Sequence, residues 1–267
     1  MRYLDSVNAG AMFLNLSISP LFPFAQAHGR RIACDAFGDI NHIKYTLNSV
    51  TYGWWMGGRM YAFNDPDHLC LRWSENEARS RITTGVITGS NLLGDDLTDT
   101  ARQARAVRFA TNAGVDSVGR LGKAFRPVEG NTGTDPSDAF TLVDGATGTL
   151  YVAVFNYGSV VAEKRIPLGR LGVKGSSVVF DELWTGARVT ASGALGVSLG
   201  GYDCRLFRSG AGTVRIRKPF PSPYAIRPLQ RQFNVLGARL PWEMRESGAT
   251  GPSGARLQWD GVHLILK

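Results

Sequence analysis

HGRRIACDAFGDINHIKYTLNSVTYGWWMGGRMYAFNDPDHLCL, residues 28–71, is the stretch on which the fold turns. It holds two short apolar runs that each carry a carboxylate at the end, Arg31-Ile32-Ala33-Cys34-Asp35 and Asn64-Asp65-Pro66-Asp67-His68-Leu69. Between them Ile40, Ile43, Leu47 and Val50 recur behind Asp39. That periodicity puts the four side chains on one face of a helix, and an aspartate in front accepts hydrogen bonds from first-turn N–H groups. The stretch therefore reads strand, helix, strand. A crossover helix returns the chain to the same edge of a sheet, so the two strands lie parallel. Both carboxylates then sit near strand C-termini, where the loops between strands and helices build active sites.

The flanks extend the pattern. Residues 12–18 read as a strand preceding the unit. The first 27 residues carry Arg2, an apolar run and a terminal Ala25-Gln26-Ala27, as a secretory leader does, but Asp5, Asn8, Asn15, Pro20 and Pro23 interrupt the apolar core such a leader needs. On the other side, Ser74 and Glu77 form a capping box. It opens a helix through about residue 88, with Ile82 and Val86 facing inward and Gly85 and Gly89 permitting close packing. Residues 91–97, NLLGDDL, read as a short strand ending in Asp95 and Asp96. A helix over 98–111 follows, with Ala101, Ala104 and Val107 inward and Arg102, Arg105 and Arg108 on a solvated face.

From Phe125 the period changes to two. Residues 139–143, 149–156, 160–167, 176–183 and 202–207 read as strands separated by glycine-containing turns, the signature of an antiparallel sandwich.

Composition bounds what such a chain does. With 267 residues, 43% of them hydrophobic, it is long enough to bury a substantial core. The net charge of +8 suggests an anionic partner, but residues 209–267 alone hold nine Lys and Arg against three Asp and Glu, which leaves the body nearly neutral. A basic, Pro-containing tail with no recognition module beside it gives no warrant for nucleic-acid binding. No run approaches the ~20 apolar residues that a membrane-spanning helix needs. Cys34, Cys70 and Cys204 are widely spaced and read as buried, reduced thiols, and His28, His42, His68 and His263 form no metal-binding pair. No metal or cofactor is implied.

The two motifs of the opening stretch, in this order and about thirty residues apart, resemble the C-terminal half of the catalytic barrel of the melibiase-type α-galactosidases, retaining glycoside hydrolases of clan D. In that family an R-x-x-x-D strand end carries the general acid/base, matched by Arg31 and Asp35. A later W-N-D-P-D-M-L-type motif binds sugar hydroxyls, matched by Asn64-Asp65-Pro66-Asp67. The likeness covers residues 12–208. It implies an α/β plus all-β chain: the C-terminal half of a (β/α)8 barrel over 1–124, an antiparallel β-sandwich over 125–208, and an unassigned tail over 209–267. It further implies a glycosidase that hydrolyses a terminal glycosidic bond with retention, Asp35 being the acid/base and Arg31, Asp67 and His68 contacting substrate. Asp65 is read as holding the Asp-Pro turn. Trp54, Trp55 and Tyr61 either stack on sugar faces or pack between barrel layers.

The sequence also departs from the family. Ser17-Ile18-Ser19-Pro20 stands where a C-E-W-P loop is usual, and His68 stands where methionine is common. Retention needs a second carboxyl group roughly 5 Å from the acid/base. The family's nucleophile lies in a K-x-D motif on an earlier strand, and the sole lysine before position 123 is Lys44, in Lys44-Tyr45-Thr46. Asp67, Asp95 and Asp96 are the carboxylates left to substitute. The expectation is half a barrel, with open strand edges to be closed by a complementing barrel half or by edge-to-edge association of two copies. The alternative is a non-catalytic fragment or carbohydrate-binding protein lacking the nucleophile.

Overall fold

The structure, a computed structural model, describes residues 14–17, 27–90, 92–129 and 135–214, together with strand segments at 249–250, 256–259 and 264–266. Residues 1–13 and 18–26 lie outside the described residues, and with them most of the leader-like stretch, both ends of the 12–18 strand and three of the four residues of the Ser17-Ile18-Ser19-Pro20 loop.

The strand-helix-strand unit is present. β1 (Asn15–Leu16), β2 (Gly29–Arg31) and β3 (Phe63–Asp65) form a parallel sheet in chain order. Helix α1 (Ile40–Gly53) crosses from β2 to β3, and the Asp39 carboxylate accepts from the N–H groups of Asn41 and His42 at 2.8 and 3.3 Å. Ile43, Leu47 and Val50 are fully buried beneath it.

Two strand boundaries differ from the sequence reading. β2 stops at Arg31, so Asp35 lies in the following loop and not on the strand. The 64–69 run is two strands: β3 ends at Asp65, the chain kinks at Pro66-Asp67, and β4 (His68–Leu69) pairs in parallel with β5 (Leu92–Leu93). Proline removes a ladder donor and Asp67 takes a left-handed φ of 67°, which together break the strand. Among the described residues the parallel strands do not close into a barrel.

Helix α2 (Glu75–Thr88) starts at the Ser74–Glu77 capping box and ends at Gly89, whose φ of 95° forms a left-handed cap. From Ser80 to its end the helix is buried on every side because it is sandwiched between the parallel strands and the antiparallel sheet beyond. Its threonines bond one turn back, as in Thr84 to the Ser80 carbonyl at 2.8 Å, which satisfies hydroxyls that have no water. α3 (Thr100–Ala110), capped by Asp99, reverses the expected facing. Ala106 and Phe109 are buried, while Ala101, Ala104 and Val107 are exposed. The arginines are instead engaged: Arg102 pairs with Asp95, Arg105 donates to the Leu71 carbonyl, and Arg108 pairs with Glu75. A short helix α4 (Ala113–Gly119), which the sequence reading lacked, follows behind Asn112.

The period-two region forms one eight-stranded antiparallel sheet. Its strands are β6 (Arg126–Pro127), β7 (Ala139–Val143), β8 (Leu150–Phe155), β9 (Ala162–Pro167), β10 (Ser177–Glu182), β11 (Arg188–Ser192), β12 (Ala194–Leu199) and β13 (Cys204–Ser209). They lie in the order β6-β7-β8-β13-β10-β11-β12-β9. The sequence reading omitted β11 and β12. Leu150, Val152 and Val154 of β8 meet Ile166, Leu195 and Leu199 of β9 and β12 in one core, so the sheet folds over itself as a sandwich does. The alternate residues Tyr151, Ala153 and Phe155 pack toward the helices. Burial on both faces explains why β8 is a continuous apolar run instead of an alternating one. Polar ties seal the junction: Arg79 to Asp203 at 2.8 Å, Ser80 to the Tyr202 carbonyl at 2.9 Å, and Trp184 Nε1 to Thr83 Oγ1 at 3.0 Å. In the tail, β14 (Ala249–Thr250), β15 (Arg256–Trp259) and β16 (Leu264–Leu266) form a small antiparallel sheet where no structure was assigned from the sequence. No helix among the described residues is long and apolar enough to cross a membrane.

Candidate active site

Arg31 closes β2 directly opposite Asp65, which closes β3. Residues in register share a face, so both side chains, with that of Asn15 from β1, stand on one side of the parallel sheet. Asn15 Nδ2 donates to Asp65 Oδ2, and Asp65 Oδ1 accepts from the Asp67 N–H at 2.7 Å. Asp65 therefore holds the Asp-Pro turn through a local backbone bond.

The guanidinium of Arg31, only 12% exposed, bridges two carboxylates. Nη2 lies 2.6 Å from Asp35 Oδ1 and Nη1 lies 3.1 Å from Asp67 Oδ1. Burial pulls the Arg31 pKa down, but the charges of Asp67, Asp35 and Asp65 outweigh it and leave the pKa raised. The two carboxylates differ sharply in setting. Asp67 is largely enclosed. Burial favours its neutral form, but the N–H groups of Ala36 and His68 and the Arg31 charge prevail and hold the pKa below its ordinary value. The Ala36 N–H to Asp67 Oδ2 bond is 2.7 Å and ties the 32–36 loop to the turn. Asp35 is 62% exposed and its carboxylate accepts from Arg31. The loop thus does what a continuing strand would have done: it returns Asp35 to Arg31. His68 is half-exposed, its Nδ1 3.4 Å from Asp67 Oδ1.

Beneath the turn lies a residue the sequence reading missed. Arg81 on α2 is fully buried and donates to the carbonyls of Pro66 at 2.5 Å and His68 at 2.8 Å, and to Thr46 Oγ1 at 3.3 Å. Burial lowers its pKa to about 10, with Asp67 the foremost opposing charge, so it remains charged at neutral pH. Its signal is present in the sequence: it sits in the stripe of Ala78 and Ile82, where a charge has no reason to be unless it is satisfied internally. Arg81 fixes the kink that carries Asp67.

Other candidates fall away from this centre. Trp54 and Trp55 begin the 3-10 turn at the C-terminal end of α1, and so lie at the opposite end of the parallel strands from Asp35 and Asp67. Trp54 packs on the helical core, whereas Trp55 is exposed and its Nε1 donates to the Tyr52 carbonyl at 2.8 Å. Tyr61 is buried at that same end. Asp95 is internal: its carboxylate accepts from the Leu71 N–H at 2.6 Å and pairs with Arg102 at 3.3 Å. Asp96 caps the turn at Thr98. Both carboxylates are spent on structure. Cys34 is exposed, contrary to expectation, whereas Cys70 and Cys204 are buried. Among the described residues no group of three His, Cys, Asp or Glu could hold a metal ion.

No family model and no curated protein matches the sequence. Solved structures do match the fold. A family 27 β-L-arabinopyranosidase from Geobacillus stearothermophilus aligns at a TM-score of 0.63 and 19% identity, over 76% of this chain and 51% of that one. Alpha-galactosidase I from Mortierella vinacea aligns at 0.61 and 16% identity, over 73% and 56%. An isomalto-dextranase from Arthrobacter globiformis aligns at 0.59 and 18% identity, over 75% and 38%. This chain thus has part of the fold of the family 27 glycosidases and spans about half the length of the solved structures it matches.

Proposed function

We propose that the chain is the C-terminal part of a retaining glycosidase of the α-galactosidase type, organised as half of a (β/α)8 barrel over residues 1–124 and a β-sandwich over 125–208. The observation that carries this reading is the single guanidinium of Arg31 shared by an exposed carboxylate and an enclosed one at the C-terminal ends of parallel strands. The two carboxylates suit different tasks. Asp67 is locked in its charged form by donors and accepts hydrogen bonds from sugar hydroxyls, with Arg31 and His68 beside it. Asp35 faces solvent and serves as the acid/base for the leaving group. The substrate is a terminal glycoside of a galactose-like sugar, by analogy with the solved galactosidase and arabinopyranosidase. The isomalto-dextranase of the same fold shows that fold alone does not choose the sugar.

A second reading has its own support. With Asp95 and Asp96 engaged in structure, neither is free to act as nucleophile. That favours a carbohydrate-binding role for this chain alone, with hydrolysis requiring a complementing barrel half. Both readings place sugar on Asp67. Calorimetric titration with D-galactose and L-arabinose tests it: at least tenfold weaker binding is expected for Asp67→Asn, whereas equal binding by wild type and variant would remove Asp67 from the site.

A further inference from the structure

Next to the paired carboxylates lies a cluster that the proposed site does not use. The loop after Asp35 presents Phe37, and the loop after β4 presents Arg72 and Trp73. Phe37 and Trp73 are 45% and 42% exposed, unusually open for large aromatic side chains. The two loops are fastened together: Trp73 Nε1 donates to the Phe37 carbonyl at 2.9 Å. Gly38, at φ +83°, lies so close to the Cys70 backbone that a Cβ there would stand 2.1 Å from the Cys70 oxygen. The Arg72 guanidinium carbon lies 4.7 Å from the Trp73 ring centroid and 5.8 Å from that of Phe37. The Phe37 ring also meets the His42 ring edge to face, with centroids 5.3 Å apart.

We infer that Phe37, Arg72 and Trp73 form a leaving-group subsite for a glycoside whose leaving sugar carries a carboxylate, a uronic acid. The inference rests on the acid/base role proposed for Asp35. An acid/base sits beside the leaving-group oxygen, so the leaving sugar lies on its solvent side. Phe37, two residues on and exposed, borders that side. Trp73 offers a flat apolar face for stacking a pyranose ring. Arg72 supplies the charge. Its guanidinium carbon lies over both rings, and among the described residues no carboxylate forms an ion pair with it. A guanidinium in this state matches a carboxylate through two parallel hydrogen bonds. The nearby acidic groups are already occupied: Asp35 and Asp67 share Arg31, and Asp39 is held by helix N–H groups and His42.

The test uses the full chain and two matched disaccharides, α-galactobiose and its counterpart ending in galacturonate, with D-galactose as a separate probe of the Asp67 side. The galacturonate form is expected to bind at least about fivefold more tightly near ~20 mM salt, and the preference to shrink within about twofold near ~0.5 M. Arg72→Met should erase the preference, Arg72→Lys should keep part of it, and Trp73→Ala should weaken both disaccharides. Arg72 is exposed, so its two variants keep the fold. Galactose binding with equal affinity for the two disaccharides, or a preference that survives in Arg72→Met, would overturn the leaving-group assignment and leave the Asp67 site standing. Binding of none of the three sugars would overturn both.

Discussion

Replacing Arg81 with methionine removes a buried charge while keeping most of the side-chain volume. Its guanidinium is wholly enclosed and bonds to the carbonyls of Pro66 and His68 and to the Thr46 hydroxyl. In Arg81→Met those two carbonyls lose a buried donor, and each unsatisfied buried polar group costs about 1–3 kcal/mol. The variant is also relieved of burying a guanidinium, a cost visible in the pKa lowered to about 10, and this offsets part of the loss. The balance is a destabilisation of about 2–4 kcal/mol in equilibrium urea unfolding followed by near-ultraviolet circular dichroism. Arg108→Met, at an exposed position on α3, is the control and should stay within about 0.5 kcal/mol of wild type. Since Arg81 holds the kink that carries Asp67, galactose affinity should fall with stability. A variant with wild-type stability and wild-type sugar affinity would show that the 66–68 turn holds itself, and the positioning role given to Arg81 would be wrong.

Two further outcomes follow from the same geometry. Iodoacetamide should modify Cys34 alone in the native protein and all three thiols after denaturation, counted by mass spectrometry, because burial raises the pKa of Cys70 and pushes that of Cys204 up to about 12; native labelling of Cys204 would contradict the packing of α2 against β13. Asp67 has a folded pKa below its unfolded value, so it contributes stability that is present above the unfolded value and is lost as pH falls through the folded one. The stability of Asp67→Asn should therefore decline less steeply than wild type between about pH 5 and pH 2, and parallel acid limbs would show that Asp67 is not held charged.

Much of this architecture was legible because local rules and tertiary environment agree. Asp39 and the apolar stripe behind it fix α1, and Ser74 with Glu77 fixes the start of α2, since both signals are satisfied within a few residues. Arg31, Asp35 and Asp67 were found by motif, yet their meeting depends on where a strand stops. The i, i+4 spacing of Arg31 and Asp35 suggested a shared strand face, whereas a loop fastened by the Ala36 N–H makes the same contact. The facing of α3 was misread because its most apolar stripe by composition is alanine and valine, while Phe109, a single large residue, anchors the helix beside Trp184. Arg81 was passed over because charge is ordinarily read as surface, and only the carbonyls of a distant turn explain it. Trp54 and Trp55 attracted attention as aromatics, and the topology puts them at the end of the parallel strands opposite Asp35 and Asp67.

The most direct test of the account is hydrolysis of a panel of nitrophenyl glycosides, α- and β-galactoside, glucoside and arabinoside, by the purified chain and by Asp35→Asn side by side. The account predicts that whatever turnover of an α-galactoside or β-arabinoside this chain supports, alone or with a complementing barrel half, falls at least about a hundredfold in Asp35→Asn while the circular dichroism is unchanged, the scale of a lost general acid/base. Turnover that Asp35→Asn leaves intact would contradict the acid/base role assigned to Asp35.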